Sequence, residues 1–285
     1  MKILGTGLRG LVGSRIVELL NTSYEFEFSD TDITDKEEIQ KKIKDSGAEI
    51  VLHLAAKTDV DGCEKEKESA QNSDAWKINV EGAENVAKGC LAVGKKIIYI
   101  STDFVFDGQN PSEGGYTEED IPNPVNFYAK TKYEAEKRIS EICSDFLIVR
   151  IAYPYRASFE RTDFMRAILK RLKEKQQVTA VVDHVFMPTF IDDVAFALDI
   201  LIKNNSQGIF HAVGGQALTP YEAAVLIAKE FDLDASLISE TTRAEFFKDR
   251  APRPFKVVLK NDKIGRLGVE MKSFEEGLVQ VKSQL

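Results

Sequence analysis

The sequence predicts an α/β protein, a doubly wound parallel sheet carrying a smaller C-terminal lobe. Three observations predict it. Short runs rich in Ile, Val and Leu alternate with amphipathic stretches through the first half of the chain, the order expected of repeated strand and helix units in a sheet covered on both faces. A glycine-rich turn, Gly5-Thr6-Gly7-Leu8-Arg9-Gly10-Leu11-Val12-Gly13, follows the first of these runs at once. The length, 285 residues, suits one large domain with an appended lobe and a sizeable core.

The first strand, residues 2–4, is the apolar run before the glycine turn, and a helix at 13–20 begins where that turn ends. The Phe-bearing run 25–28 is the second strand, and the stretch 35–44 is the second helix. A strand at 50–54, a long helix over 74–92, a strand at 96–100, a helix over 127–142 and a strand at 146–151 complete the alternation. Beyond about residue 153 the pattern loosens, with helices expected at 162–173, 191–203, 220–230 and 274–282 and strands at 178–182, 208–213 and 256–259. Thr219-Pro220 marks a helix start, because Thr can cap and Pro tolerates the first turn. The expected division is a dinucleotide-binding domain over 1–152 and a substrate-binding lobe over 153–285, some of whose segments return to the first domain.

Composition narrows the function. A net charge of −8 with Lys and Arg scattered singly offers no footprint for nucleic acid, so an anionic substrate must be held by a local cluster of donors. The opening Met-Lys-Ile-Leu runs straight into the glycine turn, which leaves no room for a secretory signal, and no apolar run approaches bilayer length. A cytoplasmic location is expected. Cys63, Cys90 and Cys143 are widely spaced and read as reduced packing residues, and His53, His184 and His211 are isolated, so no metal is expected.

The glycine turn sits between a strand and a helix, where glycines let a pyrophosphate approach backbone N–H groups at a helix N-terminus. Two registers fit: Gly5-x-Gly7-x-x-Gly10, the usual dinucleotide fingerprint, and Thr6-Gly7-x-x-Gly10-x-x-Gly13, its three-spaced variant. The fold class is therefore Rossmann-type. Glu27 or Asp30, at the end of the second strand, lies at the distance expected of a ribose contact, and no Lys or Arg follows to receive a 2′-phosphate. The cofactor is thus NAD(H) or NADP(H), with NAD favoured. Leu54-Ala55-Ala56 ends the third strand with side chains small enough for a cofactor to pass, and Ser101-Thr102-Asp103 brings hydroxyls to the carboxyl edge of the fourth.

Tyr128 and Lys132 share a helical stripe with Ala135, Ile139 and Ile142, an arc of roughly 80° at 100° per residue. The overlapping Tyr133 and Lys137 fall on the opposite side with Lys130, Glu134 and Glu141, where water is expected. A cation one turn from a phenol favours the phenolate, whereas burial alone raises the phenol's pKa. Tyr128 is accordingly a candidate proton donor, although the same spacing suits a packed tyrosine beside a snorkelling lysine.

Together and in this order, Thr6-Gly-x-x-Gly-x-x-Gly13, Leu54-Ala-Ala56, Ser101-Thr102-Asp103-Phe-Val-Phe-Asp-Gly108 and Tyr128-x-x-x-Lys132 resemble the extended short-chain dehydrogenase/reductases. Asp32-Ile-Thr-Asp35, Thr58-x-Val-Asp61-x-x-Glu64, Pro188-Thr189 and Arg253-Pro254 extend the resemblance to the dTDP-4-dehydrorhamnose reductase branch over nearly the whole chain. The resemblance implies hydride transfer from a reduced nicotinamide to the 4-keto carbon of a nucleotide-linked deoxysugar. By the same resemblance, Tyr128 donates the proton, Lys132 lowers its pKa and binds the nicotinamide ribose, and Thr102 holds the substrate oxygen. The Gly10-Leu11-Val12 backbone binds pyrophosphate with Gly7 and Gly13 also on the cofactor, Glu27 stands in for the usual ribose-binding Asp, Asp32 and Ile33 line the adenine, and Ala55, Ala56 and Lys57 pass along the cofactor. Asp103, Tyr153, Phe186 and Arg253 fall on the substrate side.

The departures fall there too. Tyr153 replaces the family's Trp against the sugar, Phe186 replaces a Gly, Val257 and Leu259-Lys260 replace a Ser and a Leu-Asp, and Phe274 replaces a C-terminal Trp. Two other readings therefore stand beside a reductase: a cofactor-binding regulatory protein resembling the regulatory subunit of methionine adenosyltransferase, and an epimerase or dehydratase using Asp103. Dimers are common in such folds, so a homodimer is the expected assembly.

Overall fold

The computed structural model describes residues 1–109 and 113–285. Its first half alternates as expected: β1 (Lys2–Thr6), α1 (Leu11–Leu20), β2 (Glu25–Ser29), α2 (Lys36–Asp45), β3 (Ile50–His53), α3 (Val60–Lys65), α4 (Asp74–Trp76), α5 (Gly82–Val93), β4 (Lys96–Thr102), α6 (Phe127–Ile142) and β5 (Phe146–Ile151). The second half holds β6 (Pro154–Tyr155), α7 (Phe164–Lys173), β7 (Val178–Val181), β8 (Thr189–Phe190), α8 (Ile191–Lys203), β9 (Gly208–His211), α9 (Pro220–Glu230), β10 (Ile238–Thr241), α10 (Arg243–Phe246), α11 (Asp262–Gly265) and α12 (Phe274–Gln284).

The main sheet is parallel, in the order β2-β1-β3-β4-β5-β9. Its inner strands β1, β3, β4 and β5 are buried along almost their whole length because both faces are covered. Ile98 and Ile100 of β4 pack with Ile16, Val194 and Leu198 of α1 and α8, while Ile97 and Tyr99 pack with Ile39, Val86 and Ile139 of α2, α5 and α6. Strand order reverses at β1, so the crevice at the carboxyl ends of β1 and β3 is the place where such sheets bind ligands.

Beyond β5 the chain builds a second core. Tyr155, Met165, Phe190, Phe274 and Leu278 pack together there with the apolar face of α9. Two elements from this half nevertheless belong to the main sheet: β9 extends its edge beside β5, and α8 covers one face against α1. No helix among the described residues is long and apolar enough to cross a membrane.

Two expectations are corrected. The helix expected over 74–92 is interrupted by a π-helical turn at Lys77–Glu81, which swings Asn79 into the interior. There its carboxamide accepts from Lys57 N–H at 2.7 Å and donates to Lys57 C=O at 3.0 Å and to Thr131 Oγ1 at 2.9 Å. The extra residue in the turn aims one side chain at three partners that a regular helix would miss. The segment 256–259 forms no strand; single bridges join Val185 to Lys256 and Tyr116 to Leu259. Val257 and Leu259 are buried with Val105, Phe106, Tyr116 and Met187, so the segment is apolar without pairing in a ladder. The short strands β6, β8 and β10 carry no sequence signal of their own.

Candidate active site

The turn after β1 is tight for a steric reason. Gly7 adopts φ 71°, and a Cβ there would lie 2.6 Å from Ala55 N, while a Cβ on Gly13 would lie 2.7 Å from Gly7 O. Glycine at both positions lets β1, the turn and the end of β3 come together. The N-terminus of α1 has no side-chain cap and no acidic residue in its first turn. Its free N–H groups therefore face the crevice with the positive end of the helix dipole, a cradle that fits a dinucleotide pyrophosphate.

Helix α6 is held from outside itself. Asn126 accepts from Ala129 N–H at 2.8 Å and donates to Pro252 C=O at 2.9 Å, and Glu64 accepts from Phe127 N–H at 2.8 Å. These bonds fix the first turn, and with it Tyr128. Ala135 and Ile139 anchor the same stripe in the core with no exposed surface, so Lys132 enters the protein rather than the solvent. The other pair lies where expected: Lys137 pairs with Glu134 and sits 5.3 Å from the Tyr133 ring, on a half-exposed side.

A cavity of roughly 520 Å³ joins these elements. Gly7, Gly10, Leu11, Val12 and Gly13 line one end with Ala55 and Ala56, and Thr102, Asp103, Tyr128, Lys132 and Tyr153 line the other. Thr102 Oγ1 accepts from Phe104 N–H at 3.2 Å and donates to Asp103 Oδ1 at 3.1 Å. Lys132 Nζ donates to Ile100 C=O at 2.9 Å and lies 4.0 Å from the centroid of the Tyr99 ring. Burial pushes the Lys132 ammonium down to about 7, with the nearby Glu136 carboxylate opposing, and pushes Asp103 up to about 7.

Tyr128 corrects one expectation. Burial holds its pKa above the ordinary phenol value, while a hydrogen bond with Thr102 pulls the other way. Desolvation thus outweighs the Thr102 bond, and the Lys132 ammonium is turned to a backbone carbonyl and an aromatic ring. The phenol is neutral at pH 7, the state a proton donor requires.

Tyr153 is an aromatic residue held at φ 40°, in the left-handed region where such residues are rare. Holding it there costs about 1–3 kcal/mol. Phe104, Phe164 and Phe186 surround its ring at centroid distances of 5.6, 6.2 and 4.6 Å, and its hydroxyl meets His184 Nε2 at 3.3 Å. The backbone is bent to press this ring against the cavity.

Six expected residues stand outside the cavity lining. Glu27 is engaged by Lys42 at 2.7 Å, Ser46 at 2.8 Å and Lys2 at 3.1 Å, which hold its carboxyl at about 2, so a ribose hydroxyl would have to share it with these partners. Asp32 caps its own turn, accepting from Thr34, and Ile33 is buried against Gly82. Lys57 pairs with Glu66. Phe186 backs Tyr153 from behind, and Arg253 is bound to Asp61 at 2.9 Å. At the end of β2, Asp30 is met by Arg9 from the glycine turn, with Nε and Nη2 each 3.1 Å from its carboxylate and the guanidinium 5.0 Å from the Phe28 ring.

Several lining residues escaped sequence reasoning. Arg161, Thr162 and Asp163 come from the loop leading into α7 and Phe164 opens that helix, and Arg161 reaches Thr58 Oγ1 across the cavity at 3.2 Å. Asp163 was readable as a helix N-cap, since it accepts from Arg166 N–H at 2.9 Å, but its approach to the cavity depends on the second core.

The whole chain, residues 1–285, matches the family model described as RmlD substrate binding domain. Spore coat polysaccharide biosynthesis protein SpsK of Bacillus subtilis (strain 168) is 30% identical over 281 residues, 97% of this chain and 95% of that protein. Methionine adenosyltransferase 2 subunit beta of Mus musculus is 29% identical, over 97% of this chain and 86% of that protein. A crystal structure of dTDP-4-dehydrorhamnose reductase from Bacillus anthracis str. Ames in complex with NADP superposes with a TM-score of 0.91 at 29% identity, covering 100% of this chain and 99% of that one.

Proposed function

The chain belongs to the RmlD substrate binding domain family, and from that premise we propose that it is an NAD(P)H-dependent reductase of a nucleotide-linked 4-keto-6-deoxysugar. The observation that carries this reading is the convergence of Thr102, Tyr128 and Lys132 on one cavity with the glycine turn. When bound, the reduced nicotinamide supplies a hydride to the carbonyl carbon. Tyr128 gives its phenolic proton to the carbonyl oxygen, so that ketone, hydride and proton become an alcohol. Thr102 donates a hydrogen bond to that oxygen as negative charge develops on it. Lys132 places a cation beneath the reaction and offers its ammonium to the nicotinamide ribose. The N–H groups that open α1 hold the cofactor pyrophosphate.

The Arg9–Asp30 pair bears on coenzyme choice. Asp30 suits a ribose 2′-hydroxyl, and Arg9 suits a 2′-phosphate once released from Asp30; both side chains are exposed and screened by solvent, so parting them costs little. The protein therefore uses both coenzymes, with NADH ahead by a few-fold at most.

Mixing the protein with NADH or NADPH and a dTDP-linked 4-keto-6-deoxysugar, and following the loss of nicotinamide absorbance, tests the reading. Oxidation is expected with both coenzymes. The similarity to methionine adenosyltransferase 2 subunit beta favours a second reading, a regulatory coenzyme-binding subunit; tight coenzyme binding without turnover of any keto sugar would select it.

A further inference from the structure

Thr102 carries one proton and faces more than one claimant for it. A hydroxyl has one donor and two acceptor sites. Phe104 N–H occupies one acceptor site at 3.2 Å, Asp103 Oδ1 takes the proton at 3.1 Å, and the same hydroxyl also bonds to the Tyr128 phenol. While Asp103 holds the Thr102 proton, that proton cannot reach an oxygen in the cavity.

Asp103 itself is 2% exposed and lines the cavity. The titratable groups that share the cavity with it are Tyr128 and Lys132 from α6, Tyr153 from the end of β5 and Arg161 from the loop before α7, and Cys63 from α3 bears on Tyr128. Among the described residues none of these cations pairs with it, for Lys132 is turned to Ile100 C=O and Arg161 to Thr58. A buried carboxyl without a cation resists ionising, and here burial raises it to about 7.

We propose that Asp103 is a positioning residue that acts through Thr102: as a carboxylic acid it donates to Thr102 Oγ1 and frees the Thr102 proton for the substrate's carbonyl oxygen, and as a carboxylate it captures that proton. In the acid form Phe104 N–H and Asp103 O–H fill the hydroxyl's two acceptor sites, Asp103 taking the place of the Tyr128 phenol, and its donor is free for the substrate oxygen. The proposal rests on the reductase reading above, which supplies the carbonyl oxygen. Ionisation of Asp103 then lowers turnover as pH rises, because the productive form is the protonated one.

Asp103→Asn imitates the acid at every pH, since its carboxamide N–H can donate to Thr102 permanently. The ratio of its kcat to that of the wild type is expected to rise at least about tenfold between pH 6 and 8.5, as the wild type alone loses its productive form. Deprotonation of Lys132 cannot imitate this rise, because removing a nearby negative charge lowers the Lys132 pKa and would depress the variant at high pH. A ratio independent of pH overturns the proposal. In a Thr102→Val background the ratio is expected to be flat; a rise persisting there would mean that Asp103 does not act through Thr102.

A readout independent of turnover is the carboxyl carbon resonance of Asp103, identified by its loss in Asp103→Asn. It is expected to titrate near neutral pH and to shift upward in Thr102→Val, where the carboxylate loses a donor. Titration near pH 4, or no response to Thr102→Val, contradicts the coupling. If the wild type fails to reduce any nucleotide-linked 4-keto sugar, the reductase reading falls, and this titration still decides whether the two side chains are coupled.

Discussion

The glycine end of the cavity, proposed for the cofactor, and the aromatic end, proposed for the substrate, are built by different means. At the glycine end the chain supplies backbone: three glycines, the uncapped start of α1 and the small side chains Ala55 and Ala56. At the aromatic end it supplies crowded aromatics and charges from four distant segments, with Tyr153 forced to φ 40° among Phe104, Phe164 and Phe186. A dinucleotide can be recognised by backbone geometry shared across a fold, whereas a particular sugar has to be recognised by side chains. Thr102, Tyr128 and Lys132 line the same cavity as the residues of both ends.

Substitutions at these three residues are expected to have the largest effect. Tyr128→Phe should lower kcat about 10²- to 10⁴-fold with coenzyme affinity nearly intact, as loss of a general acid does. Tyr133→Phe, one turn away on the outer side, should change turnover less than about twofold. Equal collapse of both variants in steady-state kinetics would mean that the faces of α6 are assigned wrongly.

Gly13→Ala breaks the cofactor end alone. Its Cβ would meet Gly7 O and Leu8 Cα, each at 2.7 Å, and must push the turn away from the pyrophosphate cradle. Coenzyme dissociation constants measured by fluorescence titration should rise at least about tenfold, equivalent to about 1.4 kcal/mol. Tyr153→Phe breaks the substrate end alone, since it removes the hydroxyl bonded to His184 and keeps the ring. The KM for the sugar nucleotide should rise about two- to tenfold while coenzyme affinity stays put. A change in coenzyme affinity with Tyr153→Phe would dissolve the distinction between the two ends.

The smallest effect concerns stability. Without ligand, folding lowers the Lys132 pKa to about 7, so between about pH 7 and the unfolded value near 10.5 the unfolded chain binds the extra proton. Stability from this group therefore rises with pH across that window. Lys132→Met should have its largest advantage in thermal midpoint at pH 7 or below, and that advantage should shrink by pH 9. A difference constant with pH would show that Lys132 is not desolvated.

The same contrast explains what the sequence could reveal. Helix α6 was legible to the residue, because one stripe of Tyr128, Lys132, Ala135 and Ile139 fixes both its faces and its period. The glycine turn was legible because only glycine satisfies its contacts. The partners of Glu27 were not legible, because Lys42 and Ser46 lie fifteen and nineteen residues away, beyond any local rule. The break at Lys77–Glu81 was hidden for a similar reason, since Asn79 is drawn inward by Lys57 and Thr131 rather than by its own helix. Arg161 and Asp163 reach the cavity only because the second core carries their loop there.

The central claim is that a hydride and the Tyr128 proton arrive at one carbonyl inside this cavity. Reduced nicotinamide carrying deuterium at its transferable position, incubated with a dTDP-linked 4-keto-6-deoxysugar and followed by NMR, tests it most directly. One deuterium at sugar C4, absent from the Tyr128→Phe reaction on the same timescale, is the predicted result. Bound coenzyme that keeps its deuterium in the presence of the keto sugar would contradict it.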